Sequence, residues 1–130
     1  MRVFVTTLCA LAMGVTCVSC SFGSNSFSQS EIQAAKDVVI KRYEGIKYLE
    51  LVELHYDEKK SNEAVTSYMK TGGGFVNGVE RKNVIILFAD FRTDSSEESN
   101  LSPNTAYTDC MWILIRDDPS EPWRIDGFGW

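Results

Sequence analysis

The stretch Val84-Ile85-Ile86-Leu87-Phe88-Ala89-Asp90-Phe91 constrains this chain more than any other. A strand alternates its side chains between two faces, so Ile85, Leu87, Ala89 and Phe91 fall on one side and Val84, Ile86, Phe88 and Asp90 on the other. Both sets are apolar until Asp90. A strand with two apolar faces belongs in the middle of a sheet that is covered on both sides. The predicted strand runs from Lys82 to Arg92.

Around it the chain supplies the remaining layers. Phe27-Ser28-Gln29-Ser30-Glu31-Ile32 carries the pattern of a capping box, with Ser28 as N-cap and Glu31 three residues on. Phe27 and Ile32 hold the staple positions. Ile32, Ala35, Val39, Tyr43 and Ile46 recur at helical spacing, and Gly45 is a stop. Tyr48 to Asp57 reads as a strand that ends at the charged run Asp57-Glu58-Lys59-Lys60. Ser61 then caps a second helix from Asn62 to about Lys70, ended by Gly72-Gly73-Gly74. Thr93 to Thr105 is a polar loop, Ala106 to Arg116 a strand, Asp117 to Pro122 a turn, and Trp123 to Phe128 a last strand. This order predicts an α+β fold, a curved antiparallel sheet with its helices grouped on one side.

The N-terminus reads as an address. Arg2 precedes an uncharged, mostly apolar run, and small residues arrive by Ser19, the order of a secretory signal. Cys17-Val18-Ser19-Cys20 lacks the flanking strand and helix start of a redox pair. It also lacks partners for a zinc site, since the later candidates His55 and Cys110 lie far apart. Val18-Ser19-Cys20 resembles a bacterial lipobox, although Cys17 stands where leucine is usual. The division expected is a signal peptide over 1–19, a lipidated Cys20 with a tether over 20–27, and one domain over 28–130. Two acyl chains on Cys20 would hold the protein at the extracytoplasmic face of the cell membrane. Ordinary cleavage nearby, giving a secreted protein, is the alternative.

Without residues 1–19 the chain keeps 111 residues, with 12 basic and 18 acidic side chains, because Arg2 is the one charge removed. The resulting charge of −6 argues against nucleic acid, which is gripped by clustered Lys and Arg. A chain of this size buries roughly 65 % of its unfolded surface and needs no staples. Cys110, inside an apolar run and beside Asp109, reads as a buried thiol.

Several stretches are similar to motifs of uncharacterised secreted lipoprotein domains of Gram-positive bacteria. They are Leu51-x-x-Leu54-His55-Tyr56-Asp57-Glu58-x-x-Ser61, Val84 to Phe91 followed by Asp94-Ser95-Ser96, and Pro103-Asn104-Thr105-x-Tyr107. Trp112-Ile113-Leu114-Ile115-Arg116 and Trp123-Arg124-Ile125-x-Gly127-Phe128-Gly129 complete the set. The resemblance covers about residues 30–130. It implies a cone of the nuclear transport factor 2-like type and supplies no catalytic residues.

Candidate chemistry is sparse. Asp90, at the end of an apolar strand face, could act as a general base at the rim of a cone, as could Asp109, with Tyr43 or Tyr107 as hydrogen-bond donor. The plainer reading is that Asp90 marks the strand's emergence into water. His55 and Asp57 share a strand face but have no nucleophile, and read as a surface cluster. Asp94 to Asn100 lacks the calcium-loop pattern, and Thr71-Gly72-Gly73-Gly74 lacks the Lys-Ser/Thr of a phosphate loop. Trp112 and Trp123 read as core and Trp130 as exposed. The expectation is therefore a lipid-anchored, non-catalytic module without metal or cofactor. It would bind a small apolar ligand in the cone or a protein on the sheet, with a homodimer through the sheet as one arrangement. An isomerase- or dehydratase-like enzyme is the alternative.

Overall fold

A computed structural model describes residues 25–130. The expected signal, Cys17, Cys20 and the first part of the tether lie outside the described residues. Four strands form one antiparallel sheet in the order β1-β2-β3-β4: β1 (Leu49–His55), β2 (Val84–Thr93), β3 (Ala106–Ile115) and β4 (Arg124–Gly129). Helix α1 (Gln29–Glu44) precedes β1. Helices α2 (Glu58–Thr71) and α3 (Gly73–Asn77), with a single 3-10 turn at Arg81–Asn83, lie between β1 and β2.

The two faces of β2 behave as its sequence requires. Ile85, Leu87, Ala89 and Phe91 are buried against Ile32, Ala35, Val39 and Tyr43 of α1. Val84, Ile86 and Phe88 are buried against Val65 and Tyr68 of α2. Each such side chain, moved from water into the core, stabilises the fold by about 2 kcal/mol. The expectation that both helices share one side of the sheet is thus corrected. α1 and α2 cover opposite faces, because a central strand apolar on both sides cannot leave either one wet.

α1 starts as predicted. Ser28 Oγ accepts from the Glu31 amide at 3.1 Å, and Glu31 Oε1 accepts from the Ser28 amide at 2.9 Å. α2 starts earlier than predicted, and its cap is Asp57 rather than Ser61. Asp57 is extended, and its Oδ1 accepts from the Lys60 amide at 2.9 Å, so the charged run forms the first turn instead of ending the strand. Ser61 is freed for another task. It is 2 % exposed, and its Oγ accepts from the Ile86 amide at 3.1 Å. β1 pairs with β2 only as far up as Phe88, so α2 supplies the acceptor that no strand offers there.

Gly72 ends α2, but the chain turns directly into α3 rather than into a loop. Gly74 lies under the Tyr68 ring, where a Cβ would come within 2.7 Å of ring carbon Cε1. Only a residue without a side chain fits there.

The residues expected to be tether are partly domain. Asn25 is 8 % exposed. Its Nδ2 donates to the carbonyls of Arg81 at 2.8 Å and Val84 at 3.1 Å. Its amide donates to Asn62 Oδ1 at 2.7 Å, and Asn62 Nδ2 donates back to its carbonyl at 3.0 Å. Phe27 packs edge-on to Trp123, with ring centres 5.6 Å apart. Beside it lies Arg116, a guanidinium only 5 % exposed. It pairs with Glu31 at 2.9 Å, donates through Nε to Asn83 Oδ1 at 3.3 Å, and lies 4.3 Å above the Trp123 ring.

Candidate functional site

A cavity of about 340 Å³ opens on the α1 face, between the C-terminal end of α1, all four strands, and the loop around Glu98 to Leu101. Phe91, Trp112 and Phe128 form its aromatic wall, and Ile46, Leu49 and Leu101 add aliphatic surface. Trp112 and Phe128 stack with ring centres 5.1 Å apart. Arg42, Glu98, Ser99 and Asn100 supply its polar lining.

Tyr43 is its buried polar group, 4 % exposed. Its hydroxyl accepts from Trp112 Nε1 at 3.0 Å. Among the described residues nothing accepts the hydroxyl's own proton, which leaves one donor in an apolar pocket. Burial pushes the phenol up to about 12, ahead of the opposing bond from Trp112, so it keeps that proton across the ordinary pH range. The arrangement suits an apolar molecule with one acceptor group.

The other residues singled out in the sequence fall elsewhere. Tyr107 lies on the same sheet face but not in the cavity. Its ring stacks on Phe91 at 5.2 Å, and its hydroxyl accepts from the Ser102 amide at 3.0 Å. Asp90 and Asp109 meet each other across a bulge. The pairing steps from Ala89–Cys110 to Phe91–Tyr107, so Thr108 and Asp109 both stand opposite Asp90. Asp109 takes a positive φ of 54°, and its amide donates to Asp90 Oδ1 at 2.9 Å. The carboxylate thus satisfies an amide that the bulge removes from the ladder. The Asp109 carboxylate lies 3.4 Å from Lys60 Nζ and 3.7 Å from His55 Nε2, on the α2 side. The structure brings the Asp109 backbone to the Asp90 carboxylate, and neither carboxylate to Tyr43 or Tyr107, which lie on the α1 face. His55 does not pair with Asp57 either, because Asp57 is the cap of α2.

Cys110 is fully buried, and burial raises its thiol to about 11. Trp112 and Trp123 are core, while Trp130 is 61 % exposed. Among the described residues no group of three His, Cys, Asp or Glu side chains is placed to hold a metal ion, and no helix is long and apolar enough to cross a membrane.

One cluster escaped the sequence. Tyr68, 6 % exposed, donates its hydroxyl proton to Asp126 Oδ2 at 2.6 Å and accepts from Asn77 Nδ2 at 2.8 Å. Gly73 lies against both partners, where a Cβ would be 3.1 Å from Asp126 Oδ2 and 3.2 Å from the Tyr68 ring. The signal was the glycine triplet, which marks a close approach of backbone to a ring one turn earlier. Asp126 lies 58 residues from Tyr68 and gave no local sign.

Residues 27–129 match the family described as a domain of unknown function, DUF4829. No curated protein and no solved structure matches the chain.

Proposed function

The chain belongs to the DUF4829 family of domains of unknown function, and on that premise we propose that it is a binding module for a small apolar ligand with an acceptor group. The observation that carries the reading is the Tyr43 hydroxyl, occupied on one side by Trp112 and free to donate into an apolar cavity. A ligand carbonyl or carboxylate would take that proton. Arg42 in the lining can reach a charged acceptor, with Glu98 as the opposing charge, and the aromatic wall covers the hydrocarbon.

We read the α1 side of the sheet as the hollow of a nuclear transport factor 2-like cone. The support is the cavity between α1 and all four strands; α2 on the opposite face departs from a plain cone. The location follows from the sequence alone: Val18-Ser19-Cys20 supports a lipid anchor on Cys20 and an extracytoplasmic site. The isomerase or dehydratase reading lacks support, because Asp90 and Asp109 do not meet Tyr43 or Tyr107.

The test is titration of the domain with octanoate, read by the fluorescence of Trp112 and by backbone amide shifts. Tyr43→Phe removes one hydrogen bond of about 1 kcal/mol, so the expected loss of affinity is about fivefold, and Arg42→Gln weakens binding in the same direction. Octanoate that binds Tyr43→Phe as tightly as the wild type would sink the proposal.

A further inference from the structure

A second hollow, of about 490 Å³, lies on the α2 face between α2 and strands β3 and β4. Its floor is apolar: Ile86 is buried, and Met111 and Ile113 are half-exposed because α2 does not reach over them. Gly127 stands opposite Ile113 in the sheet and contributes no side chain, so a bare strip of backbone continues the floor. Asp126 lies in the same lining.

The Asp126 carboxylate is fixed rather than free. The sheet register shifts at Ile113/Leu114, placing Asp126 across from Tyr68, whose hydroxyl occupies Oδ2 at 2.6 Å. Asn77 holds that hydroxyl from behind, and the bare Gly73 backbone lets all three groups approach. Burial first, and the bond to Asp126 second, push the Tyr68 phenol up to about 12, so the proton stays on tyrosine. The second carboxylate oxygen has no hydrogen-bond partner among the described residues. Neither does any cation there form an ion pair with Asp126. The nearby Arg124 reaches instead to Asp117, at 3.1 Å.

We propose that this hollow binds a small amphiphile with a cationic amine head. The head would meet the Asp126 carboxylate, and the chain would lie over Met111, Ile113 and Gly127. A fixed negative charge at the end of a half-covered apolar floor has the complementary chemistry, and an anionic chain of the same length does not. The inference does not rest on the pocket of Tyr43, which faces the other way.

Amide chemical shifts of the full domain, titrated with octylammonium and separately with octanoate, test it. The expected result is that the cation shifts Gly73, Ile113 and Gly127 saturably, and that Asp126→Asn, which neutralises an exposed carboxylate, weakens this by about two- to fivefold. Asparagine keeps an acceptor for Tyr68, so the fold is retained, as amide dispersion will report. Ile113→Trp, which fills the strip beside Gly127 and leaves Asp126 untouched, should abolish the shifts. The proposal is overturned if the cation leaves these amides unmoved, binds Asp126→Asn equally well, or survives Ile113→Trp. It is overturned also if octanoate occupies the same hollow as tightly. Octanoate binding at Tyr43 is read from different amides, so either site can fail alone.

Discussion

Arg116 offers the sharpest test of how the domain is held. Its guanidinium is 5 % exposed and engages three partners: Glu31 at 2.9 Å, Asn83 at 3.3 Å and the Trp123 ring at 4.3 Å. Arg116→Ala removes a desolvated cation–π contact of about 1 kcal/mol. It also removes a charge-assisted bond, discounted to about 1 kcal/mol because the Glu31 side chain is 32 % exposed. Loss of the packed stem and an unpaired Asn83 amide oxygen bring the expected cost to about 3–4 kcal/mol. Against a total of about 5–15 kcal/mol, that is a large share. Urea unfolding followed by far-ultraviolet circular dichroism measures it, and with a slope on the order of 1–2 kcal/mol/M the midpoint should fall by about 2 M. Glu31→Gln isolates the charge, because glutamine at that position still completes a capping box. A double-mutant cycle of Glu31→Gln with Arg116→Met should give a coupling of about 1 kcal/mol. A coupling below about 0.5 kcal/mol, or a cost for Arg116→Ala below about 1 kcal/mol, would refute the account of Arg116 as a buried, paired cation.

Alkali should weaken the fold. Tyr43 and Tyr68 are raised from near 10 to about 12, so between those values the folded chain keeps protons that the unfolded chain releases. Stability is then full below pH 10 and falls as pH rises toward 12, visible as a declining melting temperature alongside late phenolate absorbance. Acid acts through Glu31, whose carboxyl is held low chiefly by its bond from the Ser28 backbone and also by Arg116. Its contribution is present above the ordinary value of 4.5 and is lost as pH falls through the lowered one, a loss that Glu31→Gln should reduce in acid melts. Asp109→Gly should raise stability by about 0.5–1 kcal/mol, since glycine accepts the positive φ without strain, whereas Asp109→Val should lower it by about 1–2 kcal/mol in urea unfolding. Gly74→Ala should cost about 1–3 kcal/mol, because the new Cβ meets a Tyr68 ring held in place by Asp126 and Asn77. An unchanged thermal midpoint would contradict that packing.

Local chemistry was the legible part of this chain. The two-faced pattern of Val84 to Phe91 demanded a covered central strand, and the Ser28–Glu31 spacing fixed the start of α1, because both signals lie within a few residues. The start of α2 was misread because Asp57 and Ser61 are both competent caps. The choice between them depends on the Ile86 amide, 25 residues away, which needs the Ser61 hydroxyl. The opposite placement of the two helices is implicit in the two apolar faces of β2, but the order of elements along the chain carries no trace of it. Asp90 and Asp109 looked like free carboxylates because a bulge has no sequence signature here, and only the register shows that they close it. Tyr43 was found for its position on α1, but its use depends on Trp112, 69 residues on.

The clasp at Asn25 also bears on mechanics. Four hydrogen bonds tie this residue to Asn62, Arg81 and Val84, and they act in parallel before the chain reaches α1. A pull applied through the preceding residues would therefore load the head of β2, the central strand, rather than peel α1 from its end. Two of the four end on carbonyls at the start of that strand, which is buried from Val84 to Ala89. Whatever the chain is tied to upstream, tension would reach α2 through Asn62 and the start of β2 through Arg81 and Val84 before it reached α1.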